Sequence, residues 1–337
     1  MTKLNTTYMG IGLKNPVIIG ACNLTLDLDV AKRVEDAGAS AIVFKSLFEE
    51  QINLESIQME EDLSEYTERN AEMVSLFPNL THAGPEEHLD KLIKIKSSLG
   101  IPVIGSLNCV NHSTWLTYAL EIEKTGVDGI ELNFYANPKD KTQSAEVIEK
   151  EQLEVLKEIK DKIKIPLSVK LSPFYSNTLQ VISQMDKIGV EGFVLFNRLF
   201  QPDIDIDKEE LYSPFNLSQV GDYKLPLRYA GLLYKQIKGD ICSNTGIFTG
   251  EDMIKVILSG AQVGQVVSTV YKNKIPHITS IINELQQWME KHKYESLDDF
   301  KGKLAKVNNK DPFAYRRAQY VDLLMKPLDV MKKYPQV

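Results

Sequence analysis

The sequence contains few cysteines and no long apolar run. Cys22, Cys109 and Cys242 lie far apart without C-x-x-C spacing, a pattern that predicts neither a zinc site nor a disulfide framework. No uninterrupted apolar stretch approaches a membrane span, and residues 1–16 lack the charged and apolar regions of a signal peptide. We therefore expect a cytoplasmic protein with no membrane partner and no bound metal.

An excess of positive charge is also lacking. The 337 residues carry a formal net charge of −7, with Lys and Arg interspersed among Asp and Glu, which argues against a nucleic-acid partner. Low-complexity tracts are absent, and 43% of the residues are hydrophobic, as in ordinary globular proteins. The length suits one α/β barrel or two smaller domains.

The sequence instead repeats short apolar runs that alternate with longer helical patterns, as βα units around a parallel sheet do. The same pattern, a helix end followed by Gly and then a strand, recurs in three segments: KTGVDGIEL, KIGVEGFVL and LSGAQVGQVV. The even spacing favours a single-domain (β/α)8 TIM barrel over the alternative, an open doubly wound sheet. The predicted strands are residues 16–21, 41–45, 102–108, 129–134, 166–172, 192–197, 240–244 and 263–269.

Three segments depart from this repeat. Residues 46–85 form a long loop after the second predicted strand, and residues 198–225 form an insertion after the sixth. In a barrel both leave the carboxyl face, where active sites lie, so both are candidate substrate covers. The chain ends in amphipathic sequence without a strand signal, which predicts a helical extension over 306–337, packed on a barrel of residues 1–305 or on a second subunit.

Polar side chains cluster at the predicted strand ends. They are amides, hydroxyls and two lysines, without a carboxylate pair, an HExxH motif or a Ser/His/Asp pattern. Lys45 and Lys170 interrupt apolar strands, and a bound anionic cofactor would balance such buried charges. SNTGIFTGED and VVSTVYKNK follow the last two strands, where such barrels bind phosphate, and Gly246 would let the backbone approach it closely.

These segments resemble the dihydroorotate dehydrogenase family, FMN-dependent (β/α)8 barrels, up to about residue 305. Six segments follow the order and spacing of the family: NPVIIGACN, GASAIVFKS, FPNLTHAGPEEHL, GVDGIELNF, PLSVKLSP and YESLDDFKGKL. The resemblance implies hydride transfer between a dihydropyrimidine-like small-molecule substrate and flavin N5, a place in pyrimidine biosynthesis, and a homodimer. The absence of an N-terminal membrane-binding helix is similar to the soluble class of the family.

The resemblance also implies roles for individual residues. Lys170 matches the lysine beside the pyrimidine edge of the flavin, where a positive charge stabilises the reduced ring. Lys45 matches a catalytic-site lysine that contacts flavin and substrate. The residues matching substrate amides are Asn79, Asn133 and Asn197. The residues matching FMN-binding positions are Ala21, Lys45, Ser46, Asn108, Asn133, Lys170, Asn197, Gly221, Ser243, Asn244, Gly246, Ser268 and Thr269.

The fourth strand departs from the family pattern. The family continues its ELN with Leu-Ser-Cys-Pro-Asn, or with Ser in place of Cys, whereas this chain reads ELNFYANP, so Ala136 occupies the position of the catalytic base. A methyl group cannot accept the proton that dihydroorotate oxidation releases. Candidate substitutes for the base are Tyr135, Cys109, Cys22 and His82. The loop after the seventh predicted strand, where phosphate binding is expected, also differs: the family has GTGGI, and this chain has SNTGI.

Three hypotheses follow from this departure. The chain is an active flavin oxidoreductase, on dihydroorotate or on another unsaturated compound that does not need the usual base. Alternatively, it is a flavin-binding barrel that has lost turnover, since Ala136 cannot act as a base. The third hypothesis is a barrel that binds a sugar phosphate without flavin. We favour the oxidoreductase, with its substrate open.

Overall fold

The computed structural model describes residues 2–49, 52, 85–108, 111–134, 141–198, 202–212, 214, 217–310, 315, 321 and 332. Its strands are β1 (Thr6–Tyr8), β2 (Ile11–Leu13), β3 (Val17–Ile19), β4 (Ala41–Val43), β5 (Leu47–Phe48), β6 (Val103–Asn108), β7 (Gly129–Phe134), β8 (Leu167–Leu171), β9 (Gly192–Leu195), β10 (Asp203–Asp205), β11 (Glu210–Tyr212), β12 (Asp240–Asn244) and β13 (Val263–Val266). Its α-helices are α1 (Leu28–Asp36), α2 (Pro85–Ser98), α3 (His112–Lys124), α4 (Ala145–Lys162), α5 (Thr178–Ile188), α6 (Lys224–Leu233), α7 (Gly250–Ser259), α8 (Ser268–Asn273) and α9 (His277–His292).

Eight parallel strands form a closed barrel. β3 pairs with β4 and β4 with β6, and the ladder runs through β7, β8, β9, β12 and β13 back to β3. The predicted (β/α)8 barrel and its strands are therefore confirmed. The first, second, fifth, sixth and eighth strands are two or three residues shorter than predicted. In the eighth, β13 ends at Val266, and Ser268 and Thr269 begin α8 instead.

The helices cover the outside of the barrel with apolar side chains. α7 buries Met253, Val256 and Ile257, and the largest apolar cluster of the described residues lies in this layer between helices and strands. The start of α7 is set by a capping box, in which Thr249 accepts from the Asp252 backbone and Asp252 accepts from the Thr249 backbone. Packing and capping together place the preceding loop at the carboxyl end of β12.

A hairpin of β1 and β2 closes the amino-terminal end of the barrel. Tyr8 and Met9 at its turn are buried against inward-facing strand residues, and the Met9 backbone N–H donates to Asp240 Oδ2 at 2.8 Å. Two strand glycines make room for the hairpin. A Cβ on Gly192 would lie 2.8 Å from the Tyr8 hydroxyl, and one on Gly129 would lie 2.7 Å from Met9 Cε.

The insertion after β9 contains a second hairpin, formed by β10 and β11. Its apolar side chains face outward: Ile204, Ile206 and Leu211 are 59%, 82% and 75% exposed. The other long loop falls largely at residues 53–84, outside the described residues. The roles of both segments as substrate covers therefore stay predictions.

Little of the C-terminal extension lies within the described residues, but Tyr315 does. Its backbone carbonyl accepts from Arg228 Nη2 at 3.2 Å, and its hydroxyl donates to the Leu304 carbonyl at 2.8 Å. Arg228 lies on α6, so the extension contacts the barrel's helical layer at this point. The helices within the described ranges are all too short or too polar to cross a membrane, and the cytoplasmic location stays a prediction from the sequence.

Candidate functional site

A cavity of about 250 Å³ opens at the carboxyl ends of the barrel strands, the face on which such barrels carry their active sites. Most residues predicted to bind FMN line it: Ala21, Lys45, Ser46, Asn133, Lys170, Asn197, Asn244, Gly246 and Ser268. The other predicted residues, Asn108, Gly221, Ser243 and Thr269, do not line it. The fold thus brings together side chains that are spread over most of the sequence.

Ser243 and Thr269 are buried beside the cavity. Along β12, Cys242 belongs to the cluster inside the barrel and Asn244 lines the cavity, so strand alternation turns Ser243 toward the helices. The Thr269 hydroxyl donates to the Phe248 carbonyl at 3.3 Å. Neither residue lines the cavity, and their role in cofactor binding stays a prediction.

Lys170 lies at the floor of the cavity, and a carboxylate inside the barrel balances its charge. Its Nζ is 2.9 Å from Glu131 Oε1, and Gln265 Nε2 donates to the other Glu131 oxygen at 2.6 Å. The three side chains come from β8, β7 and β13, and all are buried. The sequence suggested a bound anion as the partner of Lys170. It did not identify Glu131 as that partner, or Gln265 as the partner of Glu131. Glu131 could have been found, because it lies two residues before Asn133 on the same face of the strand.

Lys45 is different, because the structure shows no ion pair or hydrogen bond to its ammonium within the described residues. Burial, with the positive charge of Lys91, lowers its pKa below the usual value. The neighbouring His88 is buried, and burial with the charges of Lys45 and Lys91 lowers its pKa to about 4. His88 is therefore neutral at pH 7 and adds no second positive charge beside the Lys45 ammonium.

The position of the missing base, Ala136, lies outside the described residues, as do Asn79, Tyr135, Cys109 and His82. Cys22 is described and lines the cavity. Burial raises its pKa to about 11, although backbone groups of Leu24 and Thr25 act in the opposite direction. The thiol is therefore protonated at neutral pH, which makes it a poor substitute for the base.

Ser218, in the insertion after β9, connects the loops after β12 and β13 at one end of the cavity. The Gly246 N–H donates to Ser218 Oγ at 3.3 Å, and the Ser218 N–H donates to Ser268 Oγ at 2.9 Å. Gly246 has a left-handed φ of 69°, and a Cβ there would lie 2.4 Å from the Tyr223 nitrogen. Thr245, where the family loop has Gly, keeps a left-handed φ of 70°. The loop therefore adopts a glycine-type backbone despite the departure from GTGGI.

Among the described residues, two carbonyl oxygens of cavity-lining side chains are buried without a hydrogen-bond partner, Asn133 Oδ1 and Gln265 Oε1. The Gln265 orientation is determined, because its amide nitrogen must donate to Glu131. An unpaired buried acceptor costs about 1–3 kcal/mol, which a ligand with N–H donors would offset. A flavin carries an N–H group between two carbonyls on its pyrimidine edge, so acceptors beside the Lys170 ammonium fit that edge.

The closed barrel and the charged, amide-rich cavity at its carboxyl face define the class: a (β/α)8 barrel with a cofactor-type site. The family model described as dihydroorotate dehydrogenase matches residues 3–289. The chain therefore belongs to the dihydroorotate dehydrogenase family, whose members are flavin-linked oxidoreductases. The resemblance seen in the sequence is thereby confirmed.

Curated relatives agree with this assignment. The catalytic subunit of dihydroorotate dehydrogenase B (NAD(+)) from Thermoplasma acidophilum is 27% identical over 310 residues, covering 90% of this chain and 99% of the relative. The same subunit from Methanocaldococcus jannaschii is 26% identical over 298 residues, covering 85% and 94%. The chloroplastic dihydropyrimidine dehydrogenase (NADP(+)) of Arabidopsis thaliana is 24% identical over 334 residues, covering 89% and 76%. Both types of relative are named as dehydrogenases, of dihydroorotate in one case and of dihydropyrimidine in the other.

Proposed function

We propose that this chain is an FMN-dependent oxidoreductase that transfers hydride between a dihydropyrimidine-like substrate and flavin N5. The observation that carries the proposal is the cavity floor, where the Lys170 ammonium lies with the unpartnered acceptors of Asn133 and Gln265. FMN, rather than a flavin without phosphate, is supported by the loops that meet around Gly246 and Ser268. Bound flavin would supply the hydride chemistry.

The residues of the chain would bind and orient the reactants. Lys170 supplies positive charge at the floor, and Lys45 has an ammonium that no described residue pairs. Ser46 and Asn244 are held in place, because Ser46 Oγ lies 2.7 Å from Ser106 Oγ and Asn244 Nδ2 donates to the Phe196 carbonyl at 3.0 Å. The substrate side would include Asn197, which also lines the cavity.

A second candidate is an FMN-binding barrel that does not oxidise dihydroorotate, or that acts on a different substrate. Ala136 favours it, because alanine offers no acceptor for the proton. The raised pKa of Cys22 favours it as well, since the described candidate for a replacement base is protonated at neutral pH. The two candidates share the cofactor and differ in turnover or in substrate.

The visible spectrum of the purified protein tests both candidates. We expect flavin absorption, with FMN released on denaturation, because the cavity floor matches the flavin edge. Anaerobic mixing with dihydroorotate, other dihydropyrimidines, NADH and NADPH identifies the electron donor by the bleaching of that absorption. A bound flavin that none of them bleaches would favour the barrel without turnover. A protein that stays colourless after incubation with FMN would contradict the flavin assignment.

We also propose that the chain forms a homodimer through the β10–β11 hairpin. An isolated two-stranded hairpin is marginally stable in water, and this one exposes Ile204, Ile206 and Leu211. Val220, which follows in the same insertion, is 78% exposed. A second copy that covered these side chains would remove an apolar patch of the kind that marks interaction sites.

Replacing Ile204 and Leu211 with Asp is expected to weaken dimerisation by at least about tenfold, because buried apolar anchors dominate such interfaces. Sedimentation velocity over a range of protein concentrations measures the effect. Ile93→Asp is the matched control, because Ile93 is 45% exposed on α2, outside the insertion that carries the hairpin. A wild-type monomer, or a double variant that dimerises as tightly as the control, would rule out this interface.

A further inference from the structure

Glu131 is a carboxylate enclosed inside the barrel. Its side chain is 1% exposed, and that of its partner Lys170 is 7% exposed. Burying such a charge is costly unless both oxygens are paired, and here Lys170 and Gln265 pair one oxygen each. The proposed chemistry uses the ammonium of Lys170 but gives no task to the carboxylate beneath it.

We propose that Glu131 is a positioning residue that sets how much positive charge Lys170 presents to the flavin. The inference rests on the FMN-dependent function proposed above. A carboxylate 2.9 Å from the ammonium offsets much of the ammonium's attraction for a third charged group. One N–H of Lys170 points to Glu131, and the others remain for a ligand. Glu131 therefore limits the stabilisation of a negatively charged flavin ring.

The neighbours of Glu131 support a role in charge control. Gln265 fixes the second oxygen at 2.6 Å, and Gly20 leaves room for Gln265, since a Cβ on Gly20 would lie 3.0 Å from Gln265 Oε1. Tyr8 and Cys242 lie nearby, and burial is the main cause that raises the pKa of each, with Glu131 contributing. Both are therefore neutral, so Lys170 provides the counter-charge for Glu131 within the described residues.

Sulfite binding measures how strongly Lys170 and Glu131 together stabilise negative charge on the flavin. Sulfite adds to oxidised flavin with its own electron pair, forms a bond to N5 and leaves negative charge on the pyrimidine edge, so no further reactant is needed. In FMN-loaded protein, Glu131→Gln is expected to bind sulfite at least about tenfold more tightly than wild type, because the Lys170 charge is no longer offset. Lys170→Met is expected to bind sulfite at least about tenfold more weakly. Bleaching of the flavin absorption measures both dissociation constants.

The double variant Glu131→Gln/Lys170→Met separates charge control from a purely structural role. The double variant leaves no unpaired buried charge, and such replacements of a buried ion pair are generally tolerated. The test therefore remains valid if Glu131→Gln alone does not fold. The sulfite affinity of the double variant is expected to return to within about threefold of wild type, because the net charge of the pair is zero in both proteins. If Glu131 only holds Lys170 in place, the double variant will instead behave like Lys170→Met.

Glu49→Gln is the matched control. Glu49 is also a buried carboxylate, 2% exposed, but it accepts from the Asn111 backbone at 2.8 Å and does not line the cavity. Its sulfite affinity should equal that of wild type. Unchanged sulfite affinity in FMN-loaded Glu131→Gln, or a double variant no better than Lys170→Met, would overturn the role of Glu131 and leave the FMN assignment intact. A wild-type protein that binds no FMN would overturn both.

Discussion

Cysteine in place of Ala136 is expected to raise the rate of dihydroorotate oxidation by about 10²–10⁴-fold, the usual contribution of a positioned base. The thiolate would accept the proton from the carbon next to the carbonyl while hydride leaves for the flavin. Stopped-flow reduction of the bound flavin by dihydroorotate under anaerobic conditions measures the rate. The rate should rise with pH toward the ordinary thiol pKa of about 8.5, because the thiolate is the active form.

Two variants make this result interpretable. Ala136→Ser introduces the other base of the family pattern and should also raise the rate. Ala145→Cys adds a thiol at an exposed position at the start of α4, and its rate should equal that of wild type. If Ala136→Cys binds FMN but reduces it no faster than wild type, the substrate side of the cavity has diverged and the chain acts on a different compound.

Replacing Gly246 with Ala is expected to lower the free energy of unfolding by about 2–5 kcal/mol, the sum of left-handed backbone strain and overpacking. The added Cβ would lie 2.4 Å from the Tyr223 nitrogen and 2.8 Å from the Asp222 carbonyl carbon. These are backbone atoms, so the loop itself must move, and FMN affinity should fall as well. Denaturant unfolding and titration with FMN measure the two effects.

Gly126→Ala separates strain from clash. Gly126 also has a left-handed φ, 81°, but a Cβ there would meet nothing within 4 Å. It should therefore lose only about 1–2 kcal/mol of stability, with unchanged FMN affinity. Equal losses in the two variants would show that the close approach of the Gly246 loop to residues 222–223 is unimportant.

The barrel was predictable because its strands are continuous apolar runs separated by helices that end in glycine. Residues 129–134 and 240–244 were predicted with the bounds of β7 and β12. The β1–β2 hairpin was not predicted, because strands of three residues are too short to show a period. Its place in the fold depends on Gly129 and Gly192, which carry no local signal of the partner they accommodate.

The site was predictable as a set of strand ends, but its internal pairing was not. The sequence indicated Lys170 and Asn133 at the cavity, and the structure places both there. The contact of Glu131 with Gln265 joins residues that are 134 positions apart, and no local pattern reports such a contact. For Ser243, the end of the strand was identified correctly, but the side chain does not line the cavity.

During translation, the β1–β2 hairpin leaves the ribosome before any strand of the barrel it closes. Ile18 and Ala41, which share its apolar cluster, follow soon in the chain. Gly129, Gly192 and Asp240, which also contact it, follow much later, so Tyr8 and Met9 are only partly covered while most of the barrel is synthesised. Larger domains of this kind fold through partly exposed intermediates. Closure of the amino-terminal end of the barrel therefore depends on the emergence of β12, and a nascent chain halted before that strand would leave Tyr8 and Met9 partly exposed to chaperones.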